Sequence, residues 1–72
     1  MFDRKKFGAR LRELRQGKRE NQSDLADVLS VTTTQISDLE NGKTATTLEK
    51  TVMICEHYQV SADYLLGLKD EP

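Results

Sequence analysis

Apolar residues recur at helical spacing along the whole chain, and nowhere do they alternate as they would on a strand. Phe7, Leu11 and Leu14 follow one another at intervals of four and three, an apolar stripe on a first helix that Asp3 is placed to cap. Gly17 stands where that helix should end. Asn21 is the expected cap of a second helix, with Gln22, Ser23 and Asp24 in its first turn and Leu25, Ala26 and Leu29 on its inner side. Thr32, with Gln35 three residues later, makes a capping box for a third helix. Ile36 and Leu39 face inward on it, and Asn41-Gly42 is its stop signal. Thr46 and Glu49 repeat the box before a fourth helix, whose inner face should hold Leu48, Val52, Cys55 and Tyr58. Ser61 caps a short fifth helix carrying Tyr64, Leu65 and Leu66, and Gly67 closes it. The pattern predicts an all-α chain, one domain over 1–68 and a frayed tail over 69–72.

Residues 22–42 carry the most information. Their two short helical patterns meet at a tight turn, the layout of a helix-turn-helix in which one helix braces a second. Ala26 falls where the two helices approach most closely, and a larger side chain there would hold them apart. Thr33, Thr34, Ser37 and Asp38 are left on the outward face. Short polar side chains suit close docking against base edges, and threonine offers both a hydroxyl and a methyl for the thymine C5 position. The helix start at Thr32 also presents free N–H groups to a phosphate.

Composition narrows the function classes. A chain of 72 residues buries only about 60% of its unfolded surface, so it needs compact helices or a staple. One cysteine and one histidine provide neither a disulfide nor zinc spacing, and they fit a reducing compartment, the cytoplasm. Cys55 reads as core and His57 as surface. No apolar run is long enough to span a membrane, and the first residues, MFDRKKFG, lack a signal-peptide core. With no nucleophile–base pair, glycine-rich phosphate loop or metal constellation, no enzyme activity, cofactor, metal or small-molecule ligand is expected. The net charge of −1 hides a polarity: residues 1–19 carry eight cations against two carboxylates, and residues 20–72 carry three against ten. Only the first segment should attract phosphate.

The spaced residues Gln22, Leu25-Ala26, Val31, Ile36-Ser37, Leu39-Glu40-Asn41-Gly42 and Val60-Ser61…Tyr64-Leu65-Leu66-Gly67 resemble the phage-repressor and Cro type of helix-turn-helix proteins, the xenobiotic-response-element-like regulators. The resemblance covers residues 7–67. It implies a compact five-helix bundle of the lambda-repressor-like DNA-binding type, with the helix-turn-helix formed by helices 2 and 3. It also implies a transcriptional regulator of double-stranded DNA, a repressor acting as a homodimer on a two-fold operator. By the same resemblance, Gln22 binds a phosphate and buttresses the recognition helix, while Thr33, Thr34, Ser37 and Asp38 face the bases. Asn41, Lys43 and Thr44 grip the backbone. Arg15 and Glu40 match a buried ion pair, and Tyr58, Tyr64, Leu65 and Leu66 match a dimer contact.

The chain departs from that pattern in four places. Ser30 replaces the usual turn glycine, at about 1 kcal/mol if its backbone is left-handed. Glu20 replaces an apolar residue, and Ala45 and Thr46 lack basic side chains. Asp38 brings a negative charge towards the groove, where it can accept from cytosine N4 but elsewhere repels. The acidic balance of residues 20–72 motivates an alternative, an antitoxin or anti-regulator of the same fold acting on a basic protein partner.

Overall fold

The computed structural model describes all 72 residues. It contains five helices and no strand: α1 (Arg4–Gly17), α2 (Gln22–Leu29), α3 (Thr33–Glu40), α4 (Leu48–Tyr58) and α5 (Ala62–Leu65). Local side chain–backbone bonds set where most of them begin. The Asp3 carboxylate accepts from the Lys5 and Lys6 N–H groups and starts α1. Asn21 and Asp24 exchange bonds in a capping box at α2, and Thr32 and Gln35 do so at α3. Ser61 caps α5.

The helices close on one core made by Phe7, Leu11, Leu25, Ala26, Leu29, Ile36, Leu39, Ile54 and Leu65. α1 lies directly against the end of α3, and Gly8 is the residue that allows it. A Cβ at position 8 would stand 2.6 Å from the Glu40 carbonyl oxygen and closer still to that of Leu39. Between α2 and α3 the chain turns through Ser30, whose backbone is left-handed at φ 56° and ψ 46°. Its N–H donates to Asp27 O (3.3 Å) and that of Val31 to Ala26 O (3.0 Å), a closure that ends a helix through one left-handed residue. Serine therefore does adopt the conformation for which glycine is the usual choice.

The fourth helix departs from the expected pattern. Its cap is Thr47, which accepts from the Lys50 N–H, and not Thr46. Its buried residues are Thr51 and Ile54. Leu48 and Val52, expected inside, are 83% and 55% exposed, and Cys55 and Tyr58 are only half-buried. Thr51 tolerates burial because its hydroxyl donates to the Thr47 carbonyl (2.9 Å), one turn back in its own helix. Lys50 reaches the other way and donates to the Leu29 carbonyl (3.0 Å) at the open end of α2.

The tail, expected to fray, is tied to the body. Arg10 donates to the carbonyls of Tyr64 and Lys69 and to the Asp70 carboxylate, and the Ser61 N–H donates to Pro72 O (3.1 Å). No helix is long and apolar enough to cross a membrane.

Candidate nucleic-acid interface

The outward face of α3 begins with three threonines. Thr32 is committed to its cap: its hydroxyl accepts from the Gln35 N–H (3.1 Å), and its own N–H donates to Gln35 Oε1 (2.8 Å). Thr33 and Thr34 are exposed, and their N–H groups belong to a first turn that has no intrahelical acceptors for them. One turn further on, Ser37 and Asp38 are half-buried, so they sit at the rim of this face.

Behind that face, Glu40 joins three helices. Arg15 donates to both of its carboxylate oxygens, from Nε at 2.5 Å and Nη2 at 3.1 Å. Gln22 Nε2 donates to Oε1 at 3.1 Å, and Arg12 Nε stands 3.4 Å from the same oxygen. Burial alone would push the Glu40 carboxyl up. The bonds from Arg15 and Gln22 and the charge of Arg15 outweigh it and hold the group below the ordinary carboxylate range. Gln22 thus links the start of α2 to the end of α3, and that amide is already engaged inside the protein.

Beyond α3 the chain is gripped from α1. Arg12 Nη2 donates to Asn41 Oδ1 (2.8 Å), and Asn41 Nδ2 lies 3.4 Å from Ser37 Oγ. Gly42 turns with φ 74°, close against the Lys5 side chain, and Arg4 Nη1 donates to the Lys43 carbonyl (3.3 Å). Arg4, Lys5 and Lys43 are all exposed, as is Thr44. Arg4 and Lys5 escaped the sequence reading as particular residues. Their signal was the N-cap Asp3, which sets them at the open end of α1.

Four of the other cations of the basic segment are turned to other work, so the phosphate-attracting end is smaller than the charge count suggests. Arg10 holds the tail and lies 4.3 Å above the Tyr64 ring. Arg12 and Arg15 face Glu40, and Lys18 donates to the His57 carbonyl (3.2 Å). Charge counted along a chain does not reveal which cations meet carboxylates in the fold.

Two further readings need correction. His57 is not a free surface residue: its Nε2 lies 2.6 Å from Glu20 Oε2, and the Tyr58 hydroxyl donates to Glu20 Oε1, also at 2.6 Å. Burial would raise the Glu20 carboxyl, but the bonds from Tyr58 and His57 hold it below its ordinary value. Burial, and then the Glu20 bond, push the Tyr58 phenol well above its own. This is how an acid is tolerated where an apolar residue was expected.

The second correction concerns the dimer contact. Leu65 is wholly enclosed in the core, so it offers no surface to a second chain. Tyr58 and Tyr64 are engaged by Glu20 and Arg10, and Leu66 packs against the core. The open apolar side chains lie elsewhere: Leu48 and Val52 on α4, with Phe2 and Leu68 beside them and Leu68 73% exposed. Phe2, Leu48 and Leu68 line one groove of about 560 Å³, and Leu66 of the expected contact lines it with them.

Comparison with known proteins accords with this geometry. The helix-turn-helix family model HTH_3 matches residues 11–65. YobD, an uncharacterized HTH-type transcriptional regulator of Bacillus subtilis, is 33% identical over 63 residues, which are 88% of this chain. The chain spans 56% of that relative's length. Among solved structures, the restriction-modification controller protein C.AhdI of Aeromonas hydrophila is 28% identical, with a TM-score of 0.78 over 88% of this chain and 96% of its own. The P22 c2 repressor, solved in complex with a synthetic operator, is 30% identical, with a TM-score of 0.78 over 83% of this chain and 91% of its own. The five-helix arrangement is lambda-repressor-like. By the match over residues 11–65, the chain belongs to the HTH_3 helix-turn-helix family.

Proposed function

We propose that the chain binds double-stranded DNA sequence-specifically as a transcriptional regulator, a repressor acting as a homodimer on a two-fold operator. The observation that carries this reading is the outward face of α3. Thr33, Thr34, Ser37 and Asp38 line it, the cations Arg4, Lys5 and Lys43 stand beyond its end, and Glu40 clamps it from behind. Such a face suits the major groove, with hydroxyls and methyls at the base edges and cations at the flanking phosphates. The family and its structural neighbours are regulators rather than enzymes.

Selection from random duplex DNA at two salt concentrations tests the reading directly. It should enrich two inverted half-sites about one helical turn, roughly 34 Å, apart. A body with extents of 27 × 23 × 20 Å is of a size to place two copies of α3 at that spacing. Recovery of no common sequence would sink the proposal. Within an enriched site, Thr34→Ala should change the base preferred at one position. Lys43→Ala should weaken all sequences alike and lower the log–log salt slope by about 0.9.

The homodimer draws support from the apolar groove, which Leu66 helps to line, rather than from Tyr58, Tyr64 and Leu65. Leu48→Glu places a charge on an exposed position, so the monomer fold should survive. Sedimentation should then show a monomer, and affinity for a two-half-site operator should fall to that for a single half-site. A Leu48→Glu chain that sediments as a dimer would remove this face from the interface. The alternative of a basic protein partner draws less support than the charge count gave it. Glu40 is buried with Arg15, and Glu20 is joined to His57 and Tyr58, so neither adds to an acidic surface.

A further inference from the structure

Arg12 lies on α1, outside the helix-turn-helix, and nothing in the reading above gives it a part in recognition. Its guanidinium is nevertheless the first member of a directed chain of hydrogen bonds that ends on the outward face. An arginine side chain carries donors only. The Asn41 atom that meets Arg12 Nη2 at 2.8 Å must therefore be the amide oxygen, and this settles which way round the amide lies. The Asn41 NH2 then points away from Arg12, and Nδ2 lies 3.4 Å from Ser37 Oγ. Ser37 is thus an acceptor towards the protein, and its O–H is left to donate outward. Arg12 itself is held in place, with Nε 3.4 Å from Glu40 Oε1 and Glu40 fixed by Arg15.

From this relay we infer that Arg12 is a positioning residue for sequence readout: through Asn41 it makes Ser37 a hydrogen-bond donor towards the duplex. This rests on α3 being the helix that reads DNA. A free serine hydroxyl can donate or accept and so discriminates poorly among base edges. A serine polarised as a donor selects the acceptor edges in the major groove: N7 and O6 of guanine, N7 of adenine and O4 of thymine. It disfavours the amino donor of cytosine. Each bond in such a chain strengthens the next, and the charge on Arg12 sets its direction.

The test uses the whole chain and a set of operator duplexes differing only at the base pair where Ser37→Ala loses its discrimination. At that pair the wild type should prefer the acceptor base about fivefold, the worth of one net hydrogen bond. Where that base is a purine, its 7-deaza analogue should remove the preference if N7 is the acceptor and leave it intact if guanine O6 is. Arg12→Met frees the Asn41 amide to flip, so it should flatten the preference at this pair and leave the other positions as they were. Asn41→Asp, at an exposed position, offers Ser37 only acceptors. The hydroxyl must then donate inward, and preference should turn towards a base with an amino donor, cytosine N4 or adenine N6, whatever happens to total affinity. Circular dichroism checks that each variant is folded, and Asn41→Asp decides the matter if Arg12→Met is not. Equal weakening of all four base pairs in Arg12→Met would make Arg12 merely structural and overturn the inference, as would an unchanged preference in Asn41→Asp. A wild type that binds no duplex with sequence preference overturns the DNA reading itself. That outcome is distinct from a wild type that discriminates while the variants discriminate equally well.

Discussion

Gly8→Ala is expected to lower stability by about 2–3 kcal/mol, the upper part of the overpacking range, although alanine is the better helix former. Two effects of opposite sign meet at this position. Helix propensity favours alanine by about 1 kcal/mol. Against it, the new methyl would stand 2.6 Å from the Glu40 carbonyl oxygen and closer still to that of Leu39, where a carbon normally keeps about 3.3–3.6 Å from an oxygen. Both obstacles are backbone atoms at the end of α3, so no side chain can swing away. α1 and α3 must separate, and the core between Phe7, Leu11, Ile36 and Leu39 opens with them. For a domain of this size the melting temperature should fall by roughly 8–24 °C. A thermal melt followed by circular dichroism measures it, and a rise of a few degrees would mean that propensity had won.

Arg15→Met should cost about 3–5 kcal/mol at neutral pH, most of what holds a small domain together. The loss comes less from the missing attraction than from the carboxylate left behind. Glu40 is enclosed, and it would keep only Gln22 and the more distant Arg12 as partners. The pH dependence separates this cause from a packing defect. In the wild type Glu40 titrates below its unfolded value of about 4.3. Its contribution is therefore complete above that pH and is lost as pH falls through the lower folded value. Without Arg15, burial dominates and Glu40 should titrate above the unfolded value. The variant then gains stability as acid protonates Glu40, and the gap to the wild type should narrow below about pH 5. Denaturant titrations at neutral and acid pH would show it, whereas a gap constant with pH would point to packing instead. Replacing both partners, Arg15→Met with Glu40→Leu, should recover much of the loss, since an apolar pair leaves no unpaired charge.

What could be read in advance was local chemistry. Asn21, Thr32 and Ser61 act on N–H groups three residues away, so their caps are visible in a short window of sequence. The fourth helix misled because an apolar stripe does not say what it faces. Leu48 and Val52 are as apolar as any core residue, and the buried Thr51 is polar, so periodicity favoured the wrong side. Glu20, His57 and Tyr58 meet across 37 and 38 residues of sequence, beyond any local rule. Gly8 had a signal that could have been used: a glycine inside an otherwise strong helix needs a reason, and close helix approach is one. At the interface, α3 and its outward residues were legible as a pattern. The bonds from Arg12 to Asn41 and from Arg4 to Lys43 were not, because they depend on how α1 lies across the bundle.

The bond between Tyr58 and Glu20 also equips the molecule with a native optical probe. The chain has two tyrosines and no tryptophan, so its near-ultraviolet absorption and emission come from Tyr58 and Tyr64. One phenol is bonded to a carboxylate where the turn between α1 and α2 meets the end of α4, and the other ring lies under the Arg10 guanidinium where the tail crosses α1. Each chromophore therefore watches a different seam of the bundle. With Tyr58→Phe and Tyr64→Phe to separate the two signals, unlabelled protein can report whether the tail detaches before the bundle opens.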